Sequence, residues 1–514
     1  MYLSIYILLE NSGDIQFLGK DGYNGDISMI PKIKSFLFEN KTESQTIAKN
    51  TFWLTLGTIV SRSIRAIMIM YAARILGTEG YGVFSYALSF AGLFGVFSDM
   101  GLSGILTRQA VQEPEKTKIY ASTTFILKLI ALTVTIGITM FVGPYLTNVK
   151  GIQELLLTVS VLLAFDSLRG FAFSIARAKN KMQIESGANI ITDGLITILG
   201  IAALLVFPSA KFLAYGYTTG IIIGTLITFY ILRKDFSGLL SNFSLQYARL
   251  VFFSSWPFAL MGLFGNLMIN VDTLVIGWFR TAHDLGLYGA AQRPVMFLYV
   301  LPALFAASIF PIVSRYVAEG KVEKVKRTVE KALSLSMMFA FPVLVGGIVV
   351  GIPLTVFIFG NKFIDASMPF QVLLLTVPLV FTGTILGNIL FAHHKQKTFI
   401  VAYGLGAVAN LILDLLLIPP YGVTGSAFAT LIAQLFSNGW LWISMKKIIP
   451  FSLFPHIKKI ILASVGMGIA CLLISLISPH VVFTIGFGGV IYLGLLVLQK
   501  EPLLQKINPK TMVE

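Results

Sequence analysis

The chain has 514 residues, of which 56% are hydrophobic and 12% charged. Soluble domains carry about 25% charged residues, so this composition excludes a soluble globular protein and describes a polytopic membrane protein. A net charge of +15 would suggest nucleic acid in a soluble chain, and the single cysteine, Cys471, excludes an intrachain disulfide and argues against a thiolate metal site.

Residues 1–49 differ from the rest. Ser4 to Leu9 is apolar but too short for a signal-peptide core and runs into Glu10, and Gly13 to Asp26 is polar and glycine-rich. Residues 1–28 are expected to be disordered, or to precede a natural start at Met29. Ile33 to Phe38, with Lys32 and Lys34, has the make-up of a short amphipathic helix on the membrane surface or of a solvated tail.

From residue 50 onward apolar segments follow one another almost without interruption. Crossings are expected at 51–76, 81–107, 119–143, 152–177, 187–207, 211–232, 250–278, 286–314, 331–359, 367–392, 398–418, 424–446, 457–477 and 480–499. The first carries Arg62 and Arg65 near its middle. A spacing of three puts both guanidiniums on one helix face, and each costs roughly 2.5–3.5 kcal/mol at that depth. That face must turn toward protein or a water-filled cavity. Either the arginines serve that cavity, or they bridge to a neighbouring helix.

Lysine and arginine concentrate in alternate connections: Arg108, Lys116 and Lys118; Arg177, Lys179 and Lys181; Arg315 to Lys331; Lys446 to Lys459. The intervening ones hold little beyond Arg74, Lys150, Lys211, Arg280 and Lys362. The positive-inside rule then places both termini in the cytoplasm of a cell-membrane protein, and the basic balance becomes a topology signal with no nucleic-acid partner implied. No phosphate loop, metal-spaced His/Cys cluster or nucleophile elbow is present, so the chain does not read as an enzyme and no cofactor is expected. His393 and His394 sit at a loop edge, where a solvated role is expected.

The chain also repeats itself. Gly77-Thr78-Glu79-Gly80-Tyr81-Gly82-Val83-Phe84 aligns with Thr281-Ala282-His283-Asp284-Leu285-Gly286-Leu287-Tyr288, so that Gly82 matches Gly286, and Trp53 falls within one residue of Trp256. The first and seventh crossings run the same way, which relates the halves by an axis along the membrane normal. A weaker echo sets Ala188, Asn189 and Asp193 against Ala409, Asn410 and Asp414 at different depths, with chance a fair explanation.

The Leu76-Gly77 to Phe84-Ser85 turn, Val271-Asp272 followed by Leu285 to Tyr288, and Ile418-Pro419-Pro420-Tyr421-Gly422-Val423-Thr424-Gly425-Ser426-Ala427 resemble polysaccharide-biosynthesis flippases of the multidrug/oligosaccharidyl-lipid/polysaccharide exporter superfamily. The resemblance covers residues 45–500. It implies two pseudo-symmetric six-helix lobes around a central cavity and two further C-terminal helices; with the hydropathy pattern this makes an all-α membrane protein of about fourteen helices, the lobes at 50–235 and 236–450, the further pair at 451–500, a cytoplasmic extension at 1–49 and a tail at 501–514. It also implies movement of a prenyl-diphosphate-linked oligosaccharide to the outer leaflet, in contact with membrane lipids. An H+ or Na+ site among the intramembrane acids and a polysaccharide polymerase as working partner are further expectations. A cation-coupled multidrug antiporter of the same superfamily is the alternative, and a membrane polymerase or ligase a further one.

In related flippases arginines on the first and eighth helices face the cavity, which implies substrate binding by Arg62, Arg65 and Arg293. Arg293 and Asp272 lie at similar depth and are equally consistent with a structural ion pair. Asp99, Lys128, Asp166, Arg169, Asp193 and Asp272 are intramembrane charges, candidates for ion coupling or structural pairing. Asp166 and Arg169, three residues apart, can neutralise each other. Asp414 is expected at the outer interface, in water. Pro257, Pro294, Pro302, Pro311, Pro342, Pro353 and Pro378 interrupt the second half, which makes it the lobe expected to bend.

Overall fold

The computed structural model describes residues 43–145, 147–236, 238–477 and 480–499. The expected disordered stretch, the surface helix over 33–38 and the tail lie outside the described residues. Among the described residues there is no strand. The helices are α1 (Glu43–Asp99), α2 (Leu102–Gln112), α3 (Thr117–Phe141), α4 (Leu156–Ala178), α5 (Met182–Val206), α6 (Ala210–Ile231), α7 (Leu245–Phe279), α8 (Ala282–Leu298), α9 (Val300–Ala318), α10 (Val322–Phe359), α11 (Ser367–Leu374), α12 (Thr376–Ala392), α13 (Gln396–Ile448), α14 (Phe454–Ile477) and α15 (Val481–Leu498).

Twelve helical segments among the described residues are long and apolar enough to span a membrane, against fourteen expected crossings. The difference lies in two segments, Lys49–Asp99 with 51 residues and Gln396–Ile448 with 53. At 1.5 Å per residue each is roughly 75–80 Å long, more than twice the ~30 Å hydrocarbon thickness. Each contains one glycine outside helical geometry, Gly77 (φ 67°, ψ −172°) and Gly422 (φ 59°, ψ −140°). A positive φ is cheap only without a Cβ, and both glycines belong to the turn motifs read from the sequence.

Breaks and helix ends leave carbonyls without partners, and two arginines take up the role, one before the Gly422 break and one at the end of α10. Arg280 donates to the Ile418 carbonyl at 3.0 and 3.2 Å and to that of Pro419 at 2.6 Å. Arg74 donates to the Ile358 carbonyl at 3.0 Å and to that of Phe357. Both belong to the sparse basic residues of the intervening connections.

The matched turns of the repeat pack against each other. A Cβ on Gly82 would run into the Ala282 carbonyl, and one on Gly286 into the Thr78 carbonyl. Thr78 Oγ1 lies 2.8 Å from His283 Nδ1, and a Cβ on Gly289 would stand 2.9 Å from Ser85 Oγ. The two halves therefore meet at equivalent positions, as a pseudo-twofold axis through this contact requires. Along α6 the Gly216, Gly220 and Gly224 row lies on Leu199, Ile196 and Thr192 of α5, a close-packing role.

Bending is not confined to the second half. Pro257, Pro294, Pro311, Pro342 and Pro353 do lie inside helices there. The first half breaks between α1 and α2 without proline, through Met100 (φ 44°) and Gly101 (φ 76°). Gly101 is seated on the backbone of α7, where a Cβ would come 2.5 Å from both the Ser255 carbonyl oxygen and the Ala259 nitrogen.

Candidate substrate cavity and buried charges

A cavity of about 1380 Å³ is lined by Arg62 and Arg65 from α1 and Arg293 from α8, one helix of each half. Its remaining wall is apolar and includes Phe297, Phe339 and Phe370, and it continues along Met467 and Tyr492 of α14 and α15. The volume exceeds the roughly 300–1,000 Å³ of a drug-sized site.

The three arginines are not equivalent. Arg65 donates from Nε to Asp193 Oδ1 of α5 at 3.1 Å and from Nη2 to the same oxygen, and its guanidinium lies 5.8 Å from the Tyr217 ring centre. Asp193 is buried, and the side chain of Arg65 is 34% exposed. Arg65 thus both lines the cavity and bridges helices. Among the described residues neither Arg62 nor Arg293 has a carboxylate within ion-pair distance. Arg62 is exposed to the cavity, and Arg293 lies beside the buried Tyr81 hydroxyl. The expected pair of Arg293 with Asp272 does not form.

The other candidate charges fall into three groups. Lys128, buried in α3, donates to Asp99 and, at 3.1 Å, to Ser103 Oγ, just where α1 gives way to α2. Asp166 and Arg169 of α4 pair at 2.5 Å, and Arg169 also reaches Asn189 Oδ1 at 3.4 Å. Asp272 of α7 is fully buried and accepts from the Tyr288 hydroxyl, the Asn410 amide and, at 3.1 Å, Thr430 Oγ1.

Beside Asp272 lies Asp414, which the sequence reading placed in water at the outer interface. It is fully buried, accepting from Ser426 at 3.1 Å and Asn410 at 3.3 Å. The reason is helix length: α13 continues through Ile418 and two prolines to Gly422, so Asp414 stands two turns inside the end instead of at it. Among the described residues the buried Asn410 Oδ1 atom has no partner. The weaker sequence echo falls on equivalent contacts after all. Asp193 meets the first crossing through Arg65, and Asp414 with Asn410 meets α7, its counterpart in the repeat. His393 is half-buried instead of solvated, and burial together with Lys395 holds its imidazole below the usual range.

The sequence matches the polysaccharide biosynthesis protein family over residues 47–317, more than half of the chain. The chain belongs to that family. A second match, to the MatE family, covers residues 257–416. Among relatives of this polysaccharide biosynthesis protein is the probable low-salt glycan biosynthesis flippase Agl15 of Haloferax volcanii, 25% identical over 75% of the chain and 80% of the relative. The putative O-antigen transporter of Shigella flexneri is 24% identical over 75% and 94%. In fold the chain is similar to the lipid II flippase MurJ in an inward closed conformation, with a TM-score of 0.73, 19% identity, and coverage of 87% of this chain and 98% of MurJ.

Proposed function

We propose that this protein is a flippase that carries a prenyl-diphosphate-linked oligosaccharide from the cytoplasmic to the outer leaflet by alternating access, in the service of cell-surface polysaccharide synthesis. One observation carries the reading: arginines from both halves line a single apolar cavity, and two of them lack a counter-ion among the described residues. A diphosphodiester brings two negative charges, and guanidiniums bind phosphate oxygens through paired N–H donors. Arg62 and Arg293 would take the phosphates, with Arg65 held as a fixed cationic wall by Asp193. The chain is then a transporter and not an enzyme, and its partners are a lipid-linked sugar and the surrounding lipids.

The same reading takes Gly77 and Gly422 as points where one helix becomes two crossings, giving fourteen with both termini cytoplasmic. The Gly82–Gly286 contact then closes the outer side. Two adjoining buried carboxyls cannot both stay ionised without a proton or a cation between them. Asp272 and Asp414, with the unpartnered Asn410 oxygen, are therefore the proposed ion-coupling site, for H+ or Na+. They lie within the MatE-matching region, but the arginine cavity favours an anionic cargo over a cationic drug. A polymerase as working partner is part of this proposal.

The test is binding of prenyl diphosphate to purified protein. Arg62→Ala and Arg293→Ala should each weaken it at least tenfold and flatten its salt dependence, with Lys at either position partly restoring it. Wild-type affinity in the Arg62→Ala/Arg293→Ala double variant would reject the cationic cavity.

A further inference from the structure

We propose that Asp166, Arg169 and Asn189 form a sugar subsite beside the diphosphate anchor, hydrogen-bonding hydroxyls of the sugar nearest the phosphates. This rests on the flippase reading.

Placement comes first. Asp166 sits near the middle of α4, yet its side chain is 53% exposed. A half-exposed carboxylate at that depth does not face hydrocarbon, so it faces the aqueous interior. Gly170, four residues on and on the same helix face, has open space before it. Asn189, which accepts from Arg169, stands one turn before Asp193 on α5, the residue that grips Arg65. The cluster therefore adjoins the arginine wall of the cavity.

Its chemistry differs from that of the anchor. Arg62 and Arg293 are uncompensated and suit an anion. Arg169 is compensated by Asp166, so the cluster is neutral overall and a phosphate gains little there. What it offers is unspent hydrogen-bonding capacity. Asp166 accepts from Arg169, leaving most of its lone pairs free. The Asn189 oxygen is used by Arg169, and its amide nitrogen donates to no described residue. Arg169 is 8% exposed, and its Nε is buried with no partner. Asp166 and Arg169 share α4, so their pair joins no helices, and it leaves the carboxylate exposed and the Arg169 Nε unsatisfied among the described residues. Acceptors and donors fixed side by side at no net charge match a polyhydroxylated neutral ligand.

The experiment compares two lipids of equal charge on the full chain in detergent: bare prenyl diphosphate, capped as its methyl ester so that it too is a diphosphodiester, and prenyl diphosphate bearing one neutral hexose. The variants are Asn189→Ala and the charge-conserving Asp166→Asn/Arg169→Gln. The wild type should bind the glycosylated lipid about tenfold more tightly than the bare one. Both variants should lose that increment and keep wild-type affinity for bare prenyl diphosphate. Equal affinity of the wild type for the two lipids, or an increment that survives both variants, would overturn the subsite and leave the flippase reading standing. Equal weakening toward both lipids would also overturn it, as a structural role. If the wild type binds neither lipid, the subsite and the flippase reading fall together.

Discussion

Replacing Gly286 by Ala should hold the outer side of the protein open. The added Cβ would run into the Thr78 carbonyl of the matched turn, and backbone cannot yield as a flexible side chain does. Overpacking of this kind costs about 1–3 kcal/mol. The gain in helix propensity, about 1 kcal/mol over glycine, applies whether the contact is made or broken and so cancels. The whole overpacking cost falls on the closed arrangement, which moves the equilibrium about 5- to 150-fold toward opening. The readout is a cysteine at Ser63, which lines the cavity, in a Cys471→Ser background, labelled by an impermeant maleimide on intact cells. Labelling should accelerate by at least fivefold in Gly286→Ala, and likewise in Gly82→Ala, whose Cβ meets Ala282 from the other side. Gly187→Ala is the control, since its Cβ would meet nothing within 4 Å. Unchanged labelling with a lowered melting temperature would show that the matched glycines only pack and do not gate.

Arg65→Leu should destabilise the protein by up to about 3–5 kcal/mol, because it leaves Asp193 buried and unpaired. Arg65→Leu/Asp193→Leu should recover the melting temperature without recovering export, and recovery of both would remove Arg65 from the mechanism. Asp272→Asn should abolish the stabilisation that Na+ or a lowered pH gives the wild type, as ligand linkage requires. A wild type indifferent to both ions in a melting assay would reject the coupling site. Single cysteines in the 108–118 and 315–330 connections of a Cys471→Ser chain should be shielded from the impermeant reagent, and those near Lys150 and Lys362 labelled. The reverse pattern would invert the direction of transport.

Much of the fold was legible because a bilayer demands it. Backbone groups in hydrocarbon must be paired within the segment, so runs of about 20 apolar residues read directly as helices. The breaks were less legible. Proline announces itself, and Pro257, Pro342 and Pro353 do lie inside helices. Glycine does not, since most of the chain's 46 glycines sit in ordinary helix. Gly77 stood out only because a repeated turn surrounds it, and Gly422 because it lies in a turn motif that carries the family resemblance. Gly101 has no such surroundings, and the break it permits depends on the α7 backbone pressed against it.

The site divides along similar lines. A guanidinium in mid-membrane is costly wherever its partner lies, so Arg62, Arg65 and Arg293 could be singled out from their own segments. Which of them is free could not, because the answer depends on Asp193, 128 positions away from Arg65. Asp414 shows the limit from the other side. Its depth was misjudged from where the apolar run stops, but the run is followed by Pro419 and Pro420 in a helix whose carbonyls are held by Arg280, the residue just past α7. The Asn189–Asp193 and Asn410–Asp414 spacings held the better signal. An amide and a carboxylate one turn apart, repeated in both halves at the contact with the first helix of each, mark a position where the fold places polar chemistry. Only the pairing of helices reveals that one copy grips a cation of the cavity wall and the other faces a second acid.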